Sequence, residues 1–203
     1  EPMVDIYVRD NILDAARGPA PSGVPHPFQP ADLVWWWQSE DIKVDAPSFQ
    51  TPAPTHDDVT LANLVQHRNP QRGVTNRFYV QAHNRGPLKA TNVRVRAFFA
   101  NASLGLPNLP ADFWTGTKPF LADPGAADWT PIGAASPAVD LEPGHTTVVE
   151  WDWLVPMGAA GHSCLLAVAT CDQDVLSLPG HFAAGDVVNI SNNVTLKNLH
   201  IVP

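Results

Sequence analysis

The chain has 203 residues, 44% of them hydrophobic, with a formal charge of −8 and a pI near 5.3. That length supports one substantial core, while the acidic balance argues against nucleic-acid binding, which needs a concentrated positive surface. Twenty-one prolines and 13 glycines beside two methionines favour short elements joined by turns, hence an all-β fold.

No run approaches the roughly 20 apolar residues of a spanning helix, so no membrane insertion is expected. A chain opening on Glu1 is expected to be a processed product or an excised piece, which leaves its compartment open.

Residues 1–65 read as an N-terminal extension with short edge strands and a proline-rich linker. "MVDIYVRD" and "SEDIKVDAP" each carry Asp-Ile-x-Val, at 5–8 and 41–44, and both are expected to add to a sheet edge. Between them "GPAPSGVPHPFQP" is expected to be extended. It leads into Trp35, Trp36 and Trp37. In an extended segment Trp35 and Trp37 share a face and act as docking anchors, while Trp36 faces a neighbouring subunit, domain or ligand.

Residues 66–203 read as the sandwich. In 75–86, Phe78, Val80 and Ala82 share one face and Arg77, Tyr79, Gln81 and His83 the other; in 92–101, Val93, Val95, Ala97 and Phe99 point in and Arg94 and Arg96 out. Seven of the 12 basic residues fall between Arg68 and Arg96, and they are expected to form a solvated exterior. Residues 102–131 form a long excursion carrying Phe113, Trp114, Phe120 and Trp129, with a short strand near "DWTPIGA". After the turn Glu142-Pro143-Gly144-His145, Val149, Trp151, Trp153 and Val155 line one side of a core strand. "GHSCLLAVATCD" is apolar on both faces, as a strand covered on both sides must be. Its Cys164 and Cys171 are seven apart and point to opposite faces, so two unpaired thiols are expected. "QDVLSLPGHFAAGD" reads as a loop and 192–202 as the last strand. About seven strands in this span suit an immunoglobulin-like antiparallel β-sandwich with the N-terminal segment packed on its edge.

Several phrases together, "SEDIKV", the stretch ending "NRFYVQAHNRGPLKATNVRVRAFFAN", "LEPGHTTVVEWDW", "GHSCLLAVA" and "NNVTLKNL", resemble immunoglobulin-like bacterial accessory modules of the cell-adhesion-related (CARDB-like) type. An Asn-x-Gly after the second strand (Asn84-Arg85-Gly86) and a Pro-Gly turn before the strand leading to Gly161-His162 carry the likeness, over about residues 39–202. Such modules usually read Ser-Pro-Asp-Ile-aromatic-Val, whereas Glu40 and Lys43 stand here. The resemblance implies a bacterial module at the cell surface or outside the cell that spaces, packs or adheres, and it brings no catalytic residues. Other protein domains or subunits are the implied partners.

The chemistry-bearing residues point the same way. Neither His-x-x-x-His nor Cys-x-x-Cys occurs, so no metal or cofactor is expected. His56-Asp57-Asp58 and the pair Asp172 and Asp174 could offer oxygens to calcium, but a twelve-residue calcium loop is missing. The serine elbow is absent, and Cys164 sits in the most apolar strand, where a thiol is inert. The sequons at Asn101, Asn189 and Asn193 are incidental if the source is bacterial. The expectation is therefore a non-catalytic structural or adhesive accessory module. The alternative is a carbohydrate-binding module that stacks a glycan on Trp36 or Trp114; a small hydrolase is the third reading.

Overall fold

The computed structural model describes residues 3–50, Leu61 and 66–203. Strands follow the alternating stretches, in the order β1 (Ile6–Tyr7), β2 (Val24–Pro25), β3 (Leu33–Val34), β4 (Ile42–Asp45), β5 (Thr75–Asn84), β6 (Ala90–Asn101), β7 (Thr130–Ile132), β8 (Val139–Leu141), β9 (Thr146–Leu154), β10 (His162–Thr170) and β11 (Val194–His200); helix α1 (Ala184–Ile190) precedes β11. In the first sheet β5 pairs β9 on one side and β1 and β4 on the other. The second sheet runs β11-β10-β6, with β7 and β8 both on the outer side of β6. All these pairings are antiparallel, which makes the molecule an all-β sandwich with seven strands from β5 to β11.

The core between the sheets is built from the residues that alternation turns inward. Phe78, Val80 and Ala82 of β5 and Trp151 and Trp153 of β9 meet Val93, Val95 and Ala97 of β6 and Leu165, Ala167 and Ala169 of β10. Burying a large side chain of this kind is worth roughly 1.5–3 kcal/mol, so this layer dominates the stability. The opposite face of β10 is also dry: Cys164, Leu166 and Val168 join Phe98, Phe113, Trp114, Trp129 and Val187 in a second cluster. A strand sealed on both faces is why "CLLAVAT" has no polar residue until Thr170. Its two thiols fall in different clusters and stay free.

Both Asp-Ile-x-Val tetrads end on the same edge of β5. Ile6 stands opposite Asn84 and Ile42 opposite Val80, and Ile6, Val8, Ile42 and Val44 all enter the main core. The Asn84-Arg85-Gly86 turn admits the first of them. Asn84 Nδ2 donates to Leu88 O and Leu141 O while its Oδ1 accepts from Gly86 N–H, and a Cβ on Gly86 would lie 2.7 Å from both Asp5 N and Val4 Cα. The second turn closes with His145 N–H donating to Glu142 O at 3.1 Å. Gly144 there has φ +74°, as the third position of a type II turn requires, and Pro143 sets the second.

Three expectations are corrected. Tyr79, Gln81 and His83 are not on a wetted face: they are 1%, 0% and 8% exposed, because Leu61 and Val148 pack on Tyr79 and the Tyr7 ring stacks on His83. Arg96 is likewise buried rather than outward, since β6 has the second cluster on that side. Finally, the stretch 173–186 is not all loop; its end opens α1, whose Ala184, Val187 and Val188 pack into the second cluster. A seven-residue helix with two β-branched valines carries too little periodicity to be read from sequence.

Candidate functional site

Because Ile6 and Val8 point into the core, period two turns Tyr7 and Arg9 to the outer face of the first sheet. There the Tyr7 ring stacks on His83, and Asp41, fully buried at the head of β4, binds Arg9 and that histidine. Its Oδ2 accepts from Arg9 N–H at 2.6 Å and from His83 Nε2 at 2.8 Å, and its Oδ1 accepts from Arg9 Nε at 2.9 Å and Nη2 at 2.5 Å. Ser39 Oγ and Thr195 Oγ1 both donate to Arg9 O, at 2.6 and 2.9 Å. Arg9 is thus stapled to the β4 entrance, to β5 through the shared carboxylate and to β11. Burial works against ionising Asp41, but the hydrogen bond and charge of His83 and the charge of Arg9 outweigh it and hold the carboxyl below its ordinary value. For Arg9 burial again opposes the charge, and Asp41 more than offsets it, so the pKa is raised. Nearby Asp10 has no such cation: burial pushes its carboxyl up to about 8, and Oδ1 is sealed without a donor.

Other acids do the same work. Asp5 takes the Nε and Nη2 of Arg85. Asp174 Oδ2 accepts from Ile6 N–H at 2.9 Å and Asn193 Nδ2 at 3.3 Å, while Asp172 Oδ2 accepts from Asn92 Nδ2 at 2.5 Å and Thr91 Oγ1 at 3.2 Å. Asp172 and Asp174 therefore hold chain segments, and among the described residues no three acid, histidine or cysteine side chains converge as an ion site. His56-Asp57-Asp58 lies outside the described residues. The Cys164 thiol is pushed up to about 12 by burial, which keeps it protonated and inert.

The tryptophans do not lie in an extended run. Residues 35–38 turn, with Gln38 N–H donating to Trp35 O at 3.2 Å and Trp35 N–H to Gln38 Oε1 at 2.7 Å. Trp35 stacks on Trp37 with centroids 5.0 Å apart, and Trp36 stands edge-on to Trp37. Trp36 and Trp37, not Trp35 and Trp37, pack against the second cluster. Trp36 is half-buried, close over Gly185 of α1. Trp114 is 4% exposed, with its indole N–H donating to His181 O at 2.7 Å, so its ring offers no open face. Beside the turn, under the β2–β3 hairpin, lies a groove of about 560 Å³. Trp37, Gln29, Asp32, Glu40, Lys197 and Asn198 contribute to its lining. Lys197 Nζ donates to Ser39 O at 2.5 Å, and burial, against the help of Glu40, brings its pKa down to about 8.

Sequence reading passed over Arg9, Asp41 and His83. The signal was present in the tetrads: an aspartate just before a core isoleucine needs a cation, and His83 and Arg85 stand at the end of the strand that both tetrads join.

No protein-family profile and no curated protein matches this chain. Among solved structures it is similar to the CARDB domain of a Pyrococcus furiosus protein in complex with di-metal ions, at 15% identity over 80% of this chain and 88% of that one, with a TM-score of 0.39. It is also similar to a Niemann-Pick type C2 protein from the Japanese carpenter ant, at 12% identity over 64% and 76% with a TM-score of 0.33. A β-glucosidase from Listeria innocua in complex with glucose matches at 10% over 66% of this chain and 14% of that one, with a TM-score of 0.34. Likenesses of this size carry no argument about activity. The chain is an antiparallel β-sandwich by its own strand registers, and its neighbours among solved structures include CARDB domains.

Proposed function

We propose that the chain is a non-catalytic accessory module of a larger bacterial surface or secreted protein or assembly, with other domains or subunits as its partners. The observation that supports this reading is the use made of carboxylates at the N-terminal segment. Asp41, Asp5 and Asp174 each bind the N-terminal segment to the sandwich, and the Asp41 carboxylate has both oxygens filled by protein donors. A carboxylate so occupied fixes geometry and has no lone pair aimed at a substrate. The described part of the N-terminal extension, residues 3–50, then stiffens one sheet edge. A panel of ester, glycoside and phosphate substrates tests this. Turnover at the buffer rate is expected; turnover abolished by a single polar substitution would overturn the proposal.

A second reading is carbohydrate binding, favoured by the groove. The Trp37 indole lines a cleft together with Gln29, Asp32 and Glu40, polar groups suited to the hydroxyls of a sugar. On this reading the contact falls at Trp37 rather than at Trp36 or Trp114. Glycans that quench tryptophan fluorescence in the native chain and not in Trp37→Ala would favour it, and a glycan array without hits would count against it.

A further inference from the structure

β10 and β11 pair antiparallel from His162 opposite His200 to Val168 opposite Val194. At one end of the ladder Ile201 N–H donates to Gly161 O at 2.8 Å, and at the other Ala169 N–H donates to Asn193 O at 2.8 Å. The hydrogen-bonded pairs therefore fall at the odd residues of both strands. Asn198, at an even position, donates its N–H outward to Trp37 O instead. His162 and His200 are thus directly opposite in a non-hydrogen-bonded pair. That is the closer of the two antiparallel spacings, with Cα atoms about 4.5 Å apart and both side chains on one face. His162 shares its face with Cys164, Leu166 and Val168, and His200 with Leu196 and Val194, all in the second cluster. The cluster stops short of the two histidines, which are exposed. The backbone beneath them is pinned, since His162 O accepts from Ala102 N–H at 3.1 Å and from Ser103 Oγ at 3.4 Å.

Other histidine rings are already engaged. His26 Nδ1 accepts from the amides of Phe28 and Gln29, His67 Nδ1 accepts from Val44 N–H, and His83 Nε2 bonds Asp41. Among the described residues, no other two histidines face each other across strands. We propose that His162 and His200 form a two-imidazole site for a divalent transition-metal ion, Cu²⁺, Ni²⁺ or Zn²⁺, clamped across the β10–β11 pair. Two imidazoles that bind one ion at about 2.0–2.1 Å need their donor nitrogens roughly 3 Å apart. Opposed exposed side chains reach that by rotamer change alone, with no movement of the strands. Among the described residues no acid or cysteine joins the pair as a third ligand. Imidazole suits these ions, whereas calcium and magnesium require oxygen ligands. Water fills the remaining positions, so the ion exchanges readily instead of being enclosed as a structural zinc is.

The test is calorimetric titration of the full chain with the chlorides of copper(II), nickel(II), zinc(II) and magnesium, joined to electron paramagnetic resonance of the copper form. One ion binds per chain, copper most tightly and magnesium not at all. The copper spectrum shows coupling to two imidazole nitrogens. His162→Ala and His200→Ala, both at exposed positions, each raise the dissociation constant by at least about tenfold, or about 1.4 kcal/mol, because one imidazole is left to bind alone. His145→Ala, in the turn before β9, leaves it unchanged. Zinc raises the melting temperature of the native chain and of neither strand variant, since the ion ties two strands only in the folded state. No binding of any of the three ions, affinity undiminished in either strand variant, or coupling to a single nitrogen would overturn the proposal.

Discussion

Replacing Asp41 by asparagine keeps the shape of the side chain and removes its charge. In the native molecule that carboxylate, with no exposure, accepts from the Arg9 amide, from two guanidinium nitrogens and from His83. The substituted amide would present one acceptor oxygen and an NH₂ group that meets the guanidinium donor to donor, or else forces His83 into the neutral tautomer whose Nε2 accepts. Removing one partner of a buried, hydrogen-bonded ion pair costs roughly 3–5 kcal/mol, and the side chain of Arg9 is too covered to recover that by solvation. At roughly 2–4 °C per kcal/mol for a domain of this size, the melting temperature should fall by about 6–20 °C. Calorimetry or a circular-dichroism melt reads the shift. The double variant with Arg9→Met should fall by clearly less than the sum of the single losses, because both remove one interaction. A loss under about 1 kcal/mol, or full additivity, would refute the view that this carboxylate holds the N-terminal segment.

Three further predictions rest on separate observations. Asp10 is pushed up to about 8, so its proton stabilises the folded state fully below the unfolded value of 3.8, and that contribution is lost as pH rises through about 8. Unfolding free energy should decline by about 1.4 kcal/mol per pH unit across that window, and Asp10→Asn should flatten the slope in denaturant titrations. Gly86→Ala places a methyl group 2.7 Å from the backbone at Asp5 and Val4, and should cost about 1–3 kcal/mol by displacing β1, measurable in the same titrations. Cys164 and Cys171 are buried with thiols raised by burial, so a thiol reagent at about pH 8 should leave the native chain unlabelled and modify both after denaturation.

The sandwich was legible because each long strand repeats one rule. Phe78-Val80-Ala82, Val93-Val95-Ala97 and Trp151-Trp153 declare their inner face by alternation alone. What alternation cannot declare is whether the second face is wet. Tyr79, Gln81 and His83 are what an exposed face would show, yet a distant segment covers them. Arg96 misled in the same way, since the long excursion packs on its side of β6. The tryptophan turn was missed because its geometry is set by the Gln38 side chain folding back on Trp35, a contact with no period. The Asp41 cluster was half legible: the aspartates were visible in the repeated tetrads, whereas Arg9 and His83 meet them only once β1, β4 and β5 are laid side by side.

Native-state hydrogen exchange at two amides bears most directly on the account. Arg9 N–H donates to Asp41 and Ile6 N–H to Asp174, neither to a sheet neighbour. If these carboxylates lock the N-terminal segment onto the sandwich, both amides exchange as slowly as those of β10 and open only with the whole fold. Exchange at both within the range of frayed termini, while β10 stays protected, would contradict it.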